Sequence, residues 1–79
     1  MAYVKGDILE LESGLICTVV QAQERCYVCL EGVYPPEGKP AEEWPFCNVR
    51  ESAVVNKLGN LNDKDSVQVA LAKLKGGSK

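Results

Sequence analysis

Short apolar runs separated by turn residues occupy the first 31 residues of the chain and favour strands over helices. The runs Ile8–Leu11 and Leu15–Ala22 flank the pair Ser13-Gly14, and Gln23-Glu24 leads into a third run, Cys26–Glu31. Runs of this length bounded by turn residues are typical of β-strands joined by hairpins. The sequence therefore predicts three consecutive antiparallel strands.

The second run carries apolar residues on both of its sides. Cys17 and Val19 alternate with Thr18, but Ile16 and Val20 interrupt this alternation. Successive side chains of a strand point to opposite faces of the sheet. We therefore expect the second strand to be covered on both faces.

All four prolines lie in one segment, VYPPEGKPAEEWP, at residues 33–45. Proline cannot donate a hydrogen bond to a sheet, so this segment is predicted to be an irregular loop. After the loop, FCNVR at 46–50 predicts a fourth strand. The run SAVVNKL at 52–58 fits a fifth short strand or a single helical turn, and its periodicity does not separate the two.

An amphipathic helix is predicted near the C terminus, where apolar residues recur at helical spacing at Val67, Ala70, Leu71 and Leu74. Asp65 and Gln68 are expected to cap its start and Gly76 to end it. A helix of this length is not stable alone in water. It must therefore pack on its own sheet or pair with another chain, and we favour packing on its own sheet. The chain then divides into 1–59, a small β-barrel, and 60–79, a linker and helix with a frayed tail.

The chain contains four cysteines and no histidine. Cys26 and Cys29 form a Cys-x-x-Cys pair, but residues three apart in a strand point to opposite faces and cannot hold one ion together. A redox pair would need a helix start, and none is indicated there. We expect reduced, buried thiols with no metal and no cofactor, and the alternative is a zinc-stabilised structural module that uses all four cysteines by adding Cys17 and Cys47.

Charge is divided unevenly along the chain. Residues 1–59 carry five Lys/Arg and nine Asp/Glu, whereas residues 60–79 carry four Lys and two Asp. Phosphate binding depends on basic residues that displace counterions, so the acidic body disfavours nucleic acid, and a nucleic-acid-binding barrel is kept as an alternative.

We expect no leader peptide and no membrane contact, because no apolar stretch approaches the roughly 18 residues that a span requires. The expected location is the cytoplasm.

Motifs for catalysis are missing from the sequence. Without histidine, the chain lacks the commonest general base, and it contains neither a phosphate-binding glycine loop nor a nucleophile elbow. The carboxylates Asp7, Glu10 and Glu12 fall on the first strand, where we expect a solvated acidic face. The protein is therefore not expected to be an enzyme.

Aromatic residues flank the prolines, since Tyr34 precedes the first proline and Trp44 the last. Tyrosine and tryptophan are enriched at the energetic centres of interfaces, and prolines reduce the entropy that a loop loses on binding. We expect a noncatalytic protein-binding site whose glutamates suit a basic partner, formed by Tyr34, Pro35, Pro36, Glu42, Glu43 and Trp44. The alternative is that Trp44 and Phe46 cap the open end of the core.

The start of the chain resembles known small barrels. Lys5–Leu11, then Ser13-Gly14 and Cys17–Val19, look like the opening of SH3-like small β-barrels, which often place a Gly-Asp pair before the first strand. The run is similar in particular to a family of small uncharacterised bacterial proteins that begin Gly-Asp-x-Val-x-Leu-x-Ser-Gly. This likeness implies a fold rather than a site.

The expected fold is mainly β, either an SH3-like small barrel or a partly open five-stranded antiparallel sheet, with a C-terminal amphipathic helix. The expected role is that of a small adaptor, or of an inhibitor of a host protein of the kind that phages and mobile elements encode. We expect a monomer, or a weak homo-oligomer formed through the helix.

Overall fold

The computed structural model describes the backbone of residues 3–77 and the side chains of residues 3–74. It contains five strands: β1 (Asp7–Leu11), β2 (Ile16–Ala22), β3 (Cys26–Glu31), β4 (Phe46–Arg50) and β5 (Val54–Asn60). All neighbours pair antiparallel in the order β4-β3-β2-β1-β5. Within residues 3–77, the strands β4 and β5 are the two edges and do not pair with each other, so the partly open sheet is confirmed and a closed barrel is not formed.

The run at 52–58, which was predicted as either a short strand or a single helical turn, contains parts of both structures. A 3-10 turn occupies Glu51–Ala53, and β5 follows directly from Val54. The turn is held by a backbone hydrogen bond in which the Glu12 N–H donates to the Ala53 carbonyl (3.0 Å). This contact carries the chain from the β4 edge across to β1, beside which β5 then runs.

The sheet has one core on each face. The first core contains Leu9, Leu11, Cys17, Val19, Tyr27, Cys29 and Val49, and the second contains Ile8, Ile16, Val33, Val67 and Ala70. The strand β2 contributes to both, because Cys17 and Val19 enter the first core and Ile16 enters the second. The prediction that this strand is covered on both faces is confirmed.

The helix α1 (Lys64–Gly77) packs on its own sheet. Val67 and Ala70 are buried in the second core, and the half-buried Leu71 and Leu74 pack against it, so the predicted apolar stripe is used inside the chain. No helix in residues 3–77 combines the length and apolar character needed to cross a bilayer.

The start of α1 differs from its prediction. The cap is Asp63 rather than Asp65, because Asp63 accepts hydrogen bonds from the Asp65 N–H (3.1 Å) and from the Ser66 hydroxyl (2.8 Å). The second of these bonds contributes most to keeping the pKa of Asp63 below its usual value. The predicted stop at Gly76 falls one residue short of the end of α1, and the predicted frayed tail includes 78–79, which lie outside the described residues.

The carboxylate of Asp7 is buried, which corrects the expectation of a solvated acidic face along the first strand. Its side chain is 1% exposed. One oxygen accepts a hydrogen bond from the Asn60 amide (2.8 Å), and the other accepts one from the Val4 N–H (2.9 Å) and lies 3.6 Å from the Lys57 ammonium. Asp7 thereby ties the N-terminal segment to β5, and this closure could not be derived from strand alternation.

Replacing Asp7 with alanine is expected to lower the free energy of unfolding by about 2–3 kcal/mol. The substitution removes the charged acceptor of two part-buried hydrogen bonds, from the Asn60 amide and the Val4 N–H, and bonds to a charged group contribute about 1.5–3 kcal/mol. Chemical denaturation measures the loss, with the exposed Glu12→Ala as the control that changes the same charge. A loss equal to that of the control would mean that the carboxylate does not hold β5 in place.

Candidate functional site

The proline-rich loop, residues 32–45, begins in the core and ends at a sheet edge. Val33 is 2% exposed and belongs to the second core, whereas its neighbour Tyr34 is 56% exposed. Pro35 is exposed and Pro36 is half-buried. Burial of Val33 therefore anchors the loop, and the tyrosine that follows it faces solvent.

The far end of the loop folds back on itself around Trp44. The indole N–H of this half-buried residue donates a hydrogen bond to the Lys39 carbonyl (2.8 Å), which closes the loop. The Trp44 and Phe46 rings are in tilted contact, with centroids 6.1 Å apart, and Phe46 is 45% exposed. Within the described residues, Trp44 and Phe46 belong to neither core. This differs from the alternative prediction, in which both residues cap the open end of the core.

The sequence-predicted site residues divide into two groups. Glu42 and Glu43 lie exposed in a 3-10 turn (Ala41–Glu43) directly before Trp44, so these three residues are brought together. Within residues 3–74, no hydrogen bond or ring contact joins Tyr34 to this group. The site therefore has an acidic aromatic part next to β4 and a separate tyrosine at the opposite end of the loop.

Phe46 belongs to this surface but was not among the predicted site residues. In β4, Cys47 contacts the first core and Val49 lies in it, which leaves Phe46, Asn48 and Arg50 on the opposite face. The alternation was readable from FCNVR, but the direction in which it points depends on which face of the sheet holds the core. A strand pattern alone does not contain that information.

Three of the four thiols gather on the first-core face of the sheet, an arrangement that sequence reasoning missed. Cys29 lies directly opposite Cys47 across the β3–β4 pair, and Cys17 lies on the adjacent strand. Hydrogen bonding to Cys29 and burial raise the pKa of the Cys17 thiol, and burial raises the pKa of Cys47. Both thiols are therefore protonated at neutral pH and are weak nucleophiles.

The Cys-x-x-Cys pair is divided between the two faces of β3, as the strand prediction required. Cys29 is fully buried in the first core, while the half-buried Cys26 thiol donates to the Gln23 side-chain oxygen (3.2 Å). In the part of the chain that the structure describes, no three His, Cys, Asp or Glu side chains are grouped so that they could hold a metal ion.

An open cleft lies between the β4 edge and the end of β1. Its volume is about 670 Å³, and its lining consists of Leu11, Glu12, Asn48, Val49, Arg50, Ser52 and Ala53. Leu11 and Val49 belong to the first core, so the cleft reaches the edge of that core. Glu12, Asn48 and Arg50 are exposed and contribute the polar part of the lining.

Comparison with known proteins identifies no relative, since no protein-family model, no curated protein and no solved structure matches this chain.

Proposed function

We propose that the protein is a noncatalytic protein-binding module whose contact surface is the proline-rich loop together with Phe46. The observation that carries this proposal is the Trp44–Phe46 ring pair, which lies outside both cores and beside exposed glutamates. Large aromatic side chains held in place at a surface supply contact area at a low entropic cost. Four prolines and the Trp44–Lys39 hydrogen bond restrain the loop before a partner arrives.

The charge of the loop indicates a basic partner. Glu37, Glu42 and Glu43 are exposed on it, against one exposed basic residue, Lys39. Complementary charge speeds encounter and disfavours acidic partners, nucleic acid included. The proposed role is that of an adaptor or of an inhibitor of a host protein in the cytoplasm, where the four thiols stay reduced.

Replacing Trp44 with alanine is expected to weaken binding of the partner by about 2 kcal/mol, or roughly 30-fold in Kd. The free energy of unfolding should fall by only about 1 kcal/mol, because the residue makes one hydrogen bond and one ring contact outside the cores. Affinity capture from the native host, followed by titration of the captured protein, measures the first quantity, and chemical denaturation measures the second.

Val69→Ala is the control, because this valine is 51% exposed on α1 and belongs to neither core. It should change neither partner binding nor stability. A Trp44→Ala variant that loses several kcal/mol of stability would place the indole in the fold rather than in an interface. Salt-sensitive micromolar binding of mixed-sequence RNA or DNA, unaffected by Trp44→Ala, would replace the proposal with nucleic-acid recognition.

A further inference from the structure

The outer edge of β4 has backbone groups directed away from the sheet. The Gly32 N–H donates to the Ile16 carbonyl (2.7 Å), and the Glu31 N–H donates to the Pro45 carbonyl (2.9 Å). Even-numbered residues of β3 therefore direct their hydrogen bonds to β2, and odd-numbered residues direct theirs to β4. Because antiparallel pairs alternate between bonded and non-bonded positions, Cys29–Cys47 and Tyr27–Val49 are the bonded pairs.

The remaining residues of β4 point their N–H and C=O groups to the open side. These are Phe46, Asn48 and Arg50, and the Phe46 N–H is already used in a hydrogen bond to the Trp44 carbonyl (3.0 Å). No strand pairs with this side of β4 within residues 3–77. The Phe46 carbonyl, both backbone groups of Asn48 and the Arg50 N–H thus form a template for one more strand.

The cleft lies beside this edge, and three of its lining residues, Leu11, Val49 and Ala53, belong to the first core or pack against it. Side chains of such a strand alternate between the two faces. Those that point inward would approach the part of the cleft lined by Leu11, Val49 and Ala53. The cleft volume of about 670 Å³ leaves room for a side chain of ordinary size.

Acidic groups surround the edge. Glu12 lines the cleft. Glu43 precedes Phe46 by three residues, so the Cα atoms of Glu43 and Phe46 are at most about 11 Å apart. Glu42 lies next to Glu43, and Arg50 is the basic residue of the edge itself. The excess of carboxylates favours an incoming segment with basic residues and opposes a second copy of this acidic chain.

We propose that the β4 edge binds an extended basic segment of another protein as a sixth strand, with an apolar side chain of that segment in the cleft. This inference rests on the proposed function and specifies the recognition mode, which is β-strand addition. The added strand is taken as antiparallel to β4, like every other pair of the sheet. Outward-facing residues of the segment would then form the backbone hydrogen bonds with Asn48, because directly opposed residues of an antiparallel bonded pair lie on the same face.

A synthetic peptide of about ten alternating valines and lysines is the probe. With valines inward, its lysines face outward and supply the N–H groups that bond to β4. N-methylation of the lysine positions should abolish binding, whereas N-methylation of the valine positions should leave it nearly unchanged. Bound peptide should slow amide hydrogen exchange at Asn48 and Arg50 at least tenfold.

Variants of Asn48 test the same contact from the protein side. Asn48→Pro removes an N–H that the β3 ladder does not use, and it should weaken peptide binding at least tenfold, whereas Asn48→Ala keeps the N–H and should lose much less affinity. The N-methylated peptides need no variant, so they decide the matter even if Asn48→Pro fails to fold. Equal loss with both methylated peptides, or no binding of the lysine peptide, would overturn the proposal.

The two proposals fail in different ways. If the partner captured from the host binds Asn48→Pro normally but loses affinity for Trp44→Ala, the loop surface is the interface and strand addition is wrong. Concentration-dependent self-association that Asn48→Pro removes would assign the edge to a second copy and overturn the proposed occupant. Preference for a valine–glutamate peptide over the lysine peptide would contradict the charge argument.

Discussion

Replacing Ala70 with aspartate should lower the free energy of unfolding by about 4 kcal/mol or more. Ala70 is fully buried between α1 and the sheet, in the second core with Val67 and Ile8. The substitution brings a charged group among the apolar side chains that form the second core in residues 3–74, and a buried charge in such surroundings is among the costliest single changes. A domain of 79 residues has little stability in reserve, so much of the variant should be unfolded at room temperature.

The control is Ala72→Asp, which places the same side chain two residues further along the same helix. Ala72 is exposed, so this variant should change stability by about 0.5 kcal/mol or less. Far-ultraviolet circular dichroism with urea titration measures both variants. Equal effects at 70 and 72 would mean that α1 does not pack on its own sheet. An unchanged monomer stability with loss of an oligomer would instead make the helix an intermolecular interface.

Replacing Gly59 with alanine should lower the free energy of unfolding by about 3–4 kcal/mol. Gly59 has φ +152°, a backbone conformation that L-residues rarely adopt. A Cβ at this position would also overlap the Cβ and Oγ atoms of Ser66, so the helix would have to move away from β5. Rotation of the serine side chain does not relieve the overlap, because its Cβ is fixed by the helix backbone. Thermal denaturation should record a fall in Tm of about 12–30 °C.

The double variant Gly59→Ala with Ser66→Gly tests this cause directly. Removing the Ser66 Cβ opens the space that the new Cβ needs, so the pair should be more stable than the sum of the two single changes implies. The control pair combines Gly59→Ala with Ser52→Gly, a serine of the exposed 3-10 turn, and should show no such coupling. Additive effects in both pairs would mean that backbone strain at 59, rather than contact with the helix, determines the cost.

Local sequence patterns predicted the position and burial of some strands better than others. The strand β3 begins and ends where the apolar run of Cys26–Glu31 predicted, because turn residues and the loop bound it on both sides. Burial of both faces of β2 followed from its interrupted alternation. The segment 51–60 was less determined, since its 3-10 turn is stabilised by a hydrogen bond to Glu12, a residue far away in sequence.

The candidate site was only partly predictable for the same reason. Its loop was recognisable because proline and aromatic residues are local signals, and Glu42, Glu43 and Trp44 do lie together. Which face of β4 carries Phe46, and which of its backbone groups are free, depend on pairing with β3 and on the position of the core. The cleft combines residues from β1, β4 and the 3-10 turn, which no single stretch of the chain contains.

Local chemistry alone determined the mainly β character, the first four strands, the loop and the C-terminal helix, since turn residues, prolines and side-chain spacing act over a few residues. Pairing between distant segments decided the rest: burial of Asp7 against Asn60, the meeting of Cys17, Cys29 and Cys47 on one face, and the open edge of β4. These features depend on register and on which face is covered. Register changes every neighbour at once without altering any local pattern.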